Sequence, residues 1–182
     1  MLRYFKEQPN LRVLDIGPTS PNNINYLTNL GHSIYMADLV EEAARPQWLA
    51  AQREDEPAAF NVDGFIAENM NFAGRAFDAV LLWDALDFLP DPLITPVVAR
   101  LHEVTAPNAL LLGFFHTRET GPECTYCRYH LTEEATVQMQ QCGSHAVLRV
   151  YNNRNIERLF AAFSSYKFFL AKDNVREVIV TR

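Results

Sequence analysis

Apolar residues along this chain fall into short dense runs separated by polar turns, and a strand-like period alternates with a helix-like one. Leu11 to Ile16 (LRVLDI) is an apolar, β-branched run that stops at Gly17. A turn-rich stretch from Gly17 to Asn23 leads into Ile24, Leu27 and Leu30 at helical spacing, and Gly31 stands where a left-handed cap is expected. Ser33 to Ala37 (SIYMA) reads as a second strand ending at Asp38. Glu41 to about Arg53 reads as a helix, with Pro46 tolerated only near its start. Asp55 to Asp63 has no period and reads as loop, and Gly64 to Ala67 reads as a short third strand. Phe77 to Trp83 (FDAVLLW) is apolar throughout, as befits a parallel strand covered on both faces. After the Leu89–Pro92 turn, Val97, Val98, Leu101 and Val104 describe a helix, and Ala109 to Phe115 is another buried strand. Arg118 to Tyr151 reads as a hairpin plus a short helix, an insertion at about residues 117–151. Asn155 to Phe163 reads as a helix that Asn153 can cap. Tyr166 to Leu170 and Val175 to Thr181 form a closing hairpin through Ala171–Asn174.

Alternation of this kind predicts an α/β fold with an open, mostly parallel sheet and helices on both faces. Right-handed crossovers then place the strand C-terminal ends along one edge, where such sheets bind ligands. With 182 residues the chain is one domain's worth, residues 1–182.

Charge narrows the partners. The net charge of −6 argues against a broad grip on nucleic acid phosphates or an anionic membrane, and no apolar stretch reaches a membrane span's length. Met1 to Asn10 lacks the apolar run of a signal peptide, and three cysteines are too few for a secreted disulfide framework, so a cytoplasmic protein is expected. From Asp38 to Asp91 there are twelve acids against three bases, and from Arg149 to Arg182 seven bases against three acids. The first imbalance is either a solvated face or an acidic rim on a cleft that receives a cation.

Three strand ends carry candidate chemistry: Asp15-Ile16-Gly17, Asp38, and Trp83-Asp84. A glycine at the first strand-to-helix turn lets a ligand approach the backbone. Asp38 follows Gly17 by 21 residues, close to the offset at which an acid grips ribose hydroxyls in nucleotide-binding sheets; the alternative role is a helix N-cap. The loop Gly17-Pro18-Thr19-Ser20-Pro21 lacks the glycines and amide donors that a pyrophosphate needs, which disfavours a dinucleotide. Thr19, Ser20 and Asn22 suffice for an adenosine cofactor with an amino-acid tail.

VLDIG, SIYMADL, FDAVLLWDALDFLP and LHEVTAPNALLLGFF, in that order and spacing, resemble the class I S-adenosylmethionine-dependent methyltransferases over residues 11–116. The resemblance implies a Rossmann-like, seven-stranded sheet with an antiparallel C-terminal hairpin, S-adenosylmethionine as cofactor, and methyl transfer to a small-molecule acceptor. It implies that Asp15 and Gly17 face the methionine part, Asp38 the ribose, and Glu68, Asn69 or Met70 the adenine, with Thr19, Ser20 and Leu39 as further cofactor-binding residues. Trp83 and Asp84 match the end of the fourth strand near the transferable methyl. Candidates for a general base are Asp84, Asp87 and His116, with Asp87 standing where many relatives carry histidine. The loop departs from the family's G-x-G-x-G, which leaves open a catalytically inactive binding or scaffold protein of the same fold.

Cys124-x2-Cys127 and Cys142-x2-His145, with His130 nearby, approach a structural zinc spacing. On an extended strand, however, residues three apart face opposite sides, so no metal is expected and the cysteines read as free thiols. Trp83, Phe88 and Phe72 read as core or as walls of an apolar pocket, and Asn152–Asn155 as capping chemistry, with a substrate contact by Arg154 as the alternative.

Overall fold

The computed structural model describes residues 1–49, 59–118, 124–134, 136–169 and 174–182. The chain begins with a helix that the apolar pattern does not announce, α1 (Leu2–Glu7), which buries a single residue, Phe5. β1 (Arg12–Asp15) follows, then α2 (Pro21–Asn29), which Ser20 caps by accepting from the Asn23 amide at 3.1 Å while Pro21 occupies the first helical position. Gly31, at φ +83°, ends α2 as expected: its amide bonds Thr28 O, and His32 N bonds Leu27 O. β2 (Ser33–Met36) leads to α3 (Leu39–Ala43), shorter than the helix expected to Arg53 because the chain turns 3₁₀ at Pro46–Trp48. Pro46 starts that turn, since it lacks the amide that would continue α3. Residues 50–53 of the expected helix and residues 55–58 of the expected 55–63 loop lie outside the described residues.

Gly64 to Ala67 is no strand. It lies inside α4 (Val62–Asn69), which Asn61 caps through Gly64 N at 3.1 Å and which buries Phe65 against the core. Next come β3 (Phe77–Trp83), α5 (Ala85–Phe88), α6 (Asp91–Val104) and β4 (Thr105–His116). The expected insertion holds two strands, β5 (Cys124–Leu131) and β6 (Val137–His145), with no helix among its described residues. α7 (Asn153–Leu159) is capped by Asn152, one residue before the expected Asn153, in a reciprocal pair with Asn155. β7 (Ser165–Phe169) and β8 (Val175–Thr181) close the chain.

The main sheet runs β2-β1-β3-β4-β8-β7, with six strands among the described residues rather than seven. The first four are mutually parallel, β8 is antiparallel to β4, and β7 pairs antiparallel with β8. β3 is central and almost wholly buried, and it divides the core. Val80 and Leu82 face α4, α6 and α7, whereas Ala79 and Leu81 face α1 and α2. Each large side chain so buried stabilises the fold by roughly 1.5–3 kcal/mol. Among the described residues β5 and β6 pair only with each other, as a separate ribbon.

Candidate functional site

Parallel registry brings the ends of β1, β2 and β3 into one row: Asp15 lies opposite Met36 on one side and Leu81 on the other. Asp15, Gly17, Asp38, Trp83 and Asp84 therefore share one edge of the sheet. Asp15 is buried and accepts from Trp83 Nε1 at 2.6 Å and from Asn23 Nδ2 at 2.9 Å. The Trp83 backbone sits at φ +49°, a left-handed conformation unusual for a bulky residue. Gly17 has no side chain because one would meet that indole: a Cβ there would lie 3.3 Å from Trp83 Cδ1. Ser20 is buried at the cap of α2, whereas Thr19 is exposed. Asp38 caps α3 through Glu41 N at 3.2 Å, and Leu39 is buried behind it.

Asp87 and His116 meet across the same edge, from α5 and the end of β4. Asp87 Oδ2 accepts from His116 N at 2.6 Å and from His116 Nδ1 at 2.7 Å. Asn69 and Met70 are not brought to the row. Asn69 bonds back to Phe65 O at 3.1 Å, and Met70 is buried with its carbonyl accepting from Arg100 of α6. The cause is the helix in place of a strand at 62–69, which ends on α6 rather than on the sheet edge.

Burial, with no lysine or arginine beside them among the described residues, raises the carboxyls. Loss of water pushes Asp15 up to about 6 and Asp84 up to about 6, against hydrogen bonds from Asn23 and Trp83 to the first and from Tyr129 to the second. Burial also raises Asp38. His116 is raised above the usual imidazole range, chiefly by its hydrogen bond to Asp87.

The ribbon sits on this row. Tyr126 donates its hydroxyl to Asp38 Oδ1 at 3.1 Å, and Tyr129 donates to Asp84 Oδ2 at 2.6 Å. The Tyr129 ring stacks on Trp83, centroids 4.9 Å apart and planes 12° apart. His130 Nδ1 pairs with Ser20 Oγ at 2.7 Å. Buried Asn23 donates to Tyr129 O at 3.0 Å and accepts from Leu131 N at 2.7 Å, much as a neighbouring strand would. Tyr126, Tyr129 and Asn23 are thus site residues that the sequence reading missed. The stretch CTYCRYHL shows two tyrosines three apart, a signal that carries no partner until the ribbon is folded back onto residues about a hundred positions earlier in the chain.

The cysteines are free, and among the described residues no three His, Cys, Asp or Glu side chains converge as metal ligands. The ribbon's register shifts between Tyr126 and Cys127, leaving Cys142 of β6 as the extra residue. Phe72 packs edge-on against Phe77 in the core, while Phe88 meets His116 and Tyr126 at the site. No helix among the described residues is long and apolar enough to cross a membrane.

Residues 1–163 match the model of a family described as a methyltransferase domain. No curated protein matches the sequence. Among solved structures, an S-adenosylmethionine-dependent methyltransferase from Methanosarcina mazei is similar at 15% identity and TM-score 0.55, over 100% of this chain and 96% of its own. The magnesium protoporphyrin IX methyltransferase of Synechocystis, solved with S-adenosylhomocysteine, is similar at 14% identity and TM-score 0.54, over 100% and 78%. A methyltransferase from Mesorhizobium loti has 10% identity and TM-score 0.52, over 100% and 95%. These likenesses show the fold.

Proposed function

The chain belongs to the methyltransferase-domain family, whose methyl donor is S-adenosylmethionine, and from that premise we propose that it binds this cofactor at the strand-end row and methylates a small-molecule acceptor. One observation carries the reading. Asp15, Asp38 and Asp84 stand side by side with raised affinities for protons, and among the described residues none is paired with lysine or arginine. Buried carboxyls held this way cost stability, and a cation admitted beside them offsets that cost.

The donor set suits the cofactor. Asp38 already accepts a hydroxyl, and a carboxylate can accept two from a cis-diol. Trp83 offers an aromatic face, now covered by Tyr129, and a positive sulfur is favoured on such a face. When bound, the cofactor supplies an electrophilic methyl on a sulfonium. Ser20, with Gly17 and exposed Thr19, lines the first turn, where Pro18 and Pro21 leave few amides. Asp87 fixes the His116 ring so that its other nitrogen, Nε2, can take a proton from an acceptor heteroatom once the ribbon is displaced. Asp84 is the second acid at that edge. The acidic surroundings and the net charge of −6 favour a neutral or cationic small acceptor over nucleic acid.

In this structure the ribbon tyrosines take up the row, so the ribbon has to leave its seat before the cofactor enters. Calorimetry with S-adenosylhomocysteine tests the reading. Binding is expected, together with faster amide exchange across residues 124–145 as the ligand saturates. Asp38→Asn keeps the α3 cap and an acceptor for Tyr126 but gives up the charge. It is expected to weaken binding by about tenfold, the scale of one charged hydrogen bond. The seated ribbon itself favours a second reading, a closed, inactive protein of the same fold. No heat and no change in exchange at millimolar ligand would establish that reading instead.

A further inference from the structure

At the rim of the row stand three groups in a relay. Asp87 is fully buried, and its Oδ2 holds His116 Nδ1 at 2.7 Å and His116 N at 2.6 Å. The carboxylate can only accept, so Nδ1 keeps its proton, and in the neutral ring Nε2 carries the lone pair. Nε2 lies 3.8 Å from Cys124 Sγ, a sulfur hydrogen bond. Phe88 packs edge-on against the imidazole at 5.8 Å and keeps the ring in place. Cys124 is half-buried at the start of β5, where it pairs across the ribbon with His145.

We propose that Cys124, with His116 as its base and Asp87 as the positioning acid, is a nucleophilic thiol that forms a covalent bond to an electrophilic alkyl carbon on a neutral or cationic ligand. In that step His116 Nε2 takes the S–H proton, and the sulfur electron pair forms the S–C bond. The carbon's leaving group departs with the bonding pair, and the proton stays on the imidazolium beside Asp87. The hydrogen bond that raises His116 favours this imidazolium. Asp84 and Asp87 close by disfavour an anionic ligand. Among the described residues the other two thiols have no such base, and burial pushes Cys127 up to about 11 and raises Cys142 as well. The inference is independent of cofactor binding.

Limited labelling of the intact protein with iodoacetamide at pH 7, followed by peptide mass analysis, tests it. Iodide is then the leaving group. Cys124 is expected to be alkylated about tenfold or more faster than Cys142, although Cys142 is the more exposed of the two. His116→Gln is expected to bring Cys124 down to the rate of Cys142 while leaving Cys127 and Cys142 unchanged. A wild-type Cys124 that reacts no faster than Cys142 overturns the proposal, and this ratio decides alone if the variant does not fold. A folded His116→Gln protein with undiminished selectivity for Cys124 overturns it equally.

Discussion

Tyr129→Ala is expected to lower stability by about 3–5 kcal/mol, the usual range for truncating a buried aromatic, and at the same time to tighten S-adenosylhomocysteine binding. The first effect follows from what the ring touches. Tyr129 stacks on Trp83, meets Phe114 edge-on at 5.3 Å and donates to Asp84. Removing it opens a cavity over the indole and strips a buried carboxyl of its hydroxyl partner. The second effect follows from competition for one place. If ribbon and ligand exclude each other, apparent affinity is the intrinsic affinity reduced by the fraction of open molecules. Each 1.4 kcal/mol withdrawn from the closed form then gains a factor of about ten until the ribbon stays open. Urea unfolding gives the stability and calorimetry the affinity, with at least a tenfold gain expected. A variant that loses stability while its affinity falls or stays level would show that Tyr129 belongs to the ligand's own seat.

Stability is expected to fall as pH rises from about 4 to beyond 6, the reverse of what paired surface carboxylates produce. Asp15 and Asp84 each hold their proton to about 6 in the folded protein, against about 4 in an unfolded chain. Between those values the folded state binds more protons than the unfolded one, so the slope of unfolding free energy with pH is negative. Two pH units correspond to about 3 kcal/mol per carboxyl. His116 acts in the same direction: its raised folded value gives stability that is present in acid and lost as pH climbs through it. Urea midpoints at pH 5 and pH 7.5 measure the effect. Asp84→Asn removes one of the contributions and still accepts from Tyr129, so it should flatten the profile and stand above wild type at neutral pH. Parallel profiles for the two proteins would place the titration elsewhere.

The parallel framework was legible because local signals agreed with the global answer. LRVLDI and FDAVLLW are apolar where both faces are covered, Gly31 meets its φ requirement, and the closing hairpin pairs as its turn predicts. Strand order then places Asp15, Asp38 and Asp84 together whatever their side chains do. Gly64 to Ala67 misled because four apolar residues suit a strand or a helix equally. The decision fell to Asn61, which caps α4, and to Phe65, which packs between Trp48 and Phe60. The same error misplaced Asn69 and Met70. The ribbon's seat was illegible for a different reason. Tyr126 reaches Asp38 across 88 positions and His130 reaches Ser20 across 110, and no local period encodes contacts of that separation.

The stacked indole has a practical consequence. The chain has two tryptophans, and they report on different halves of the core. Trp48 lies edge-on to Phe65, 5.2 Å away, beneath the helical layer, whereas Trp83 lies under the removable tyrosine. Ultraviolet emission from Trp83 therefore carries a built-in optical signal of whether the crevice is shuttered, and Trp48 supplies the steady background against which it is read.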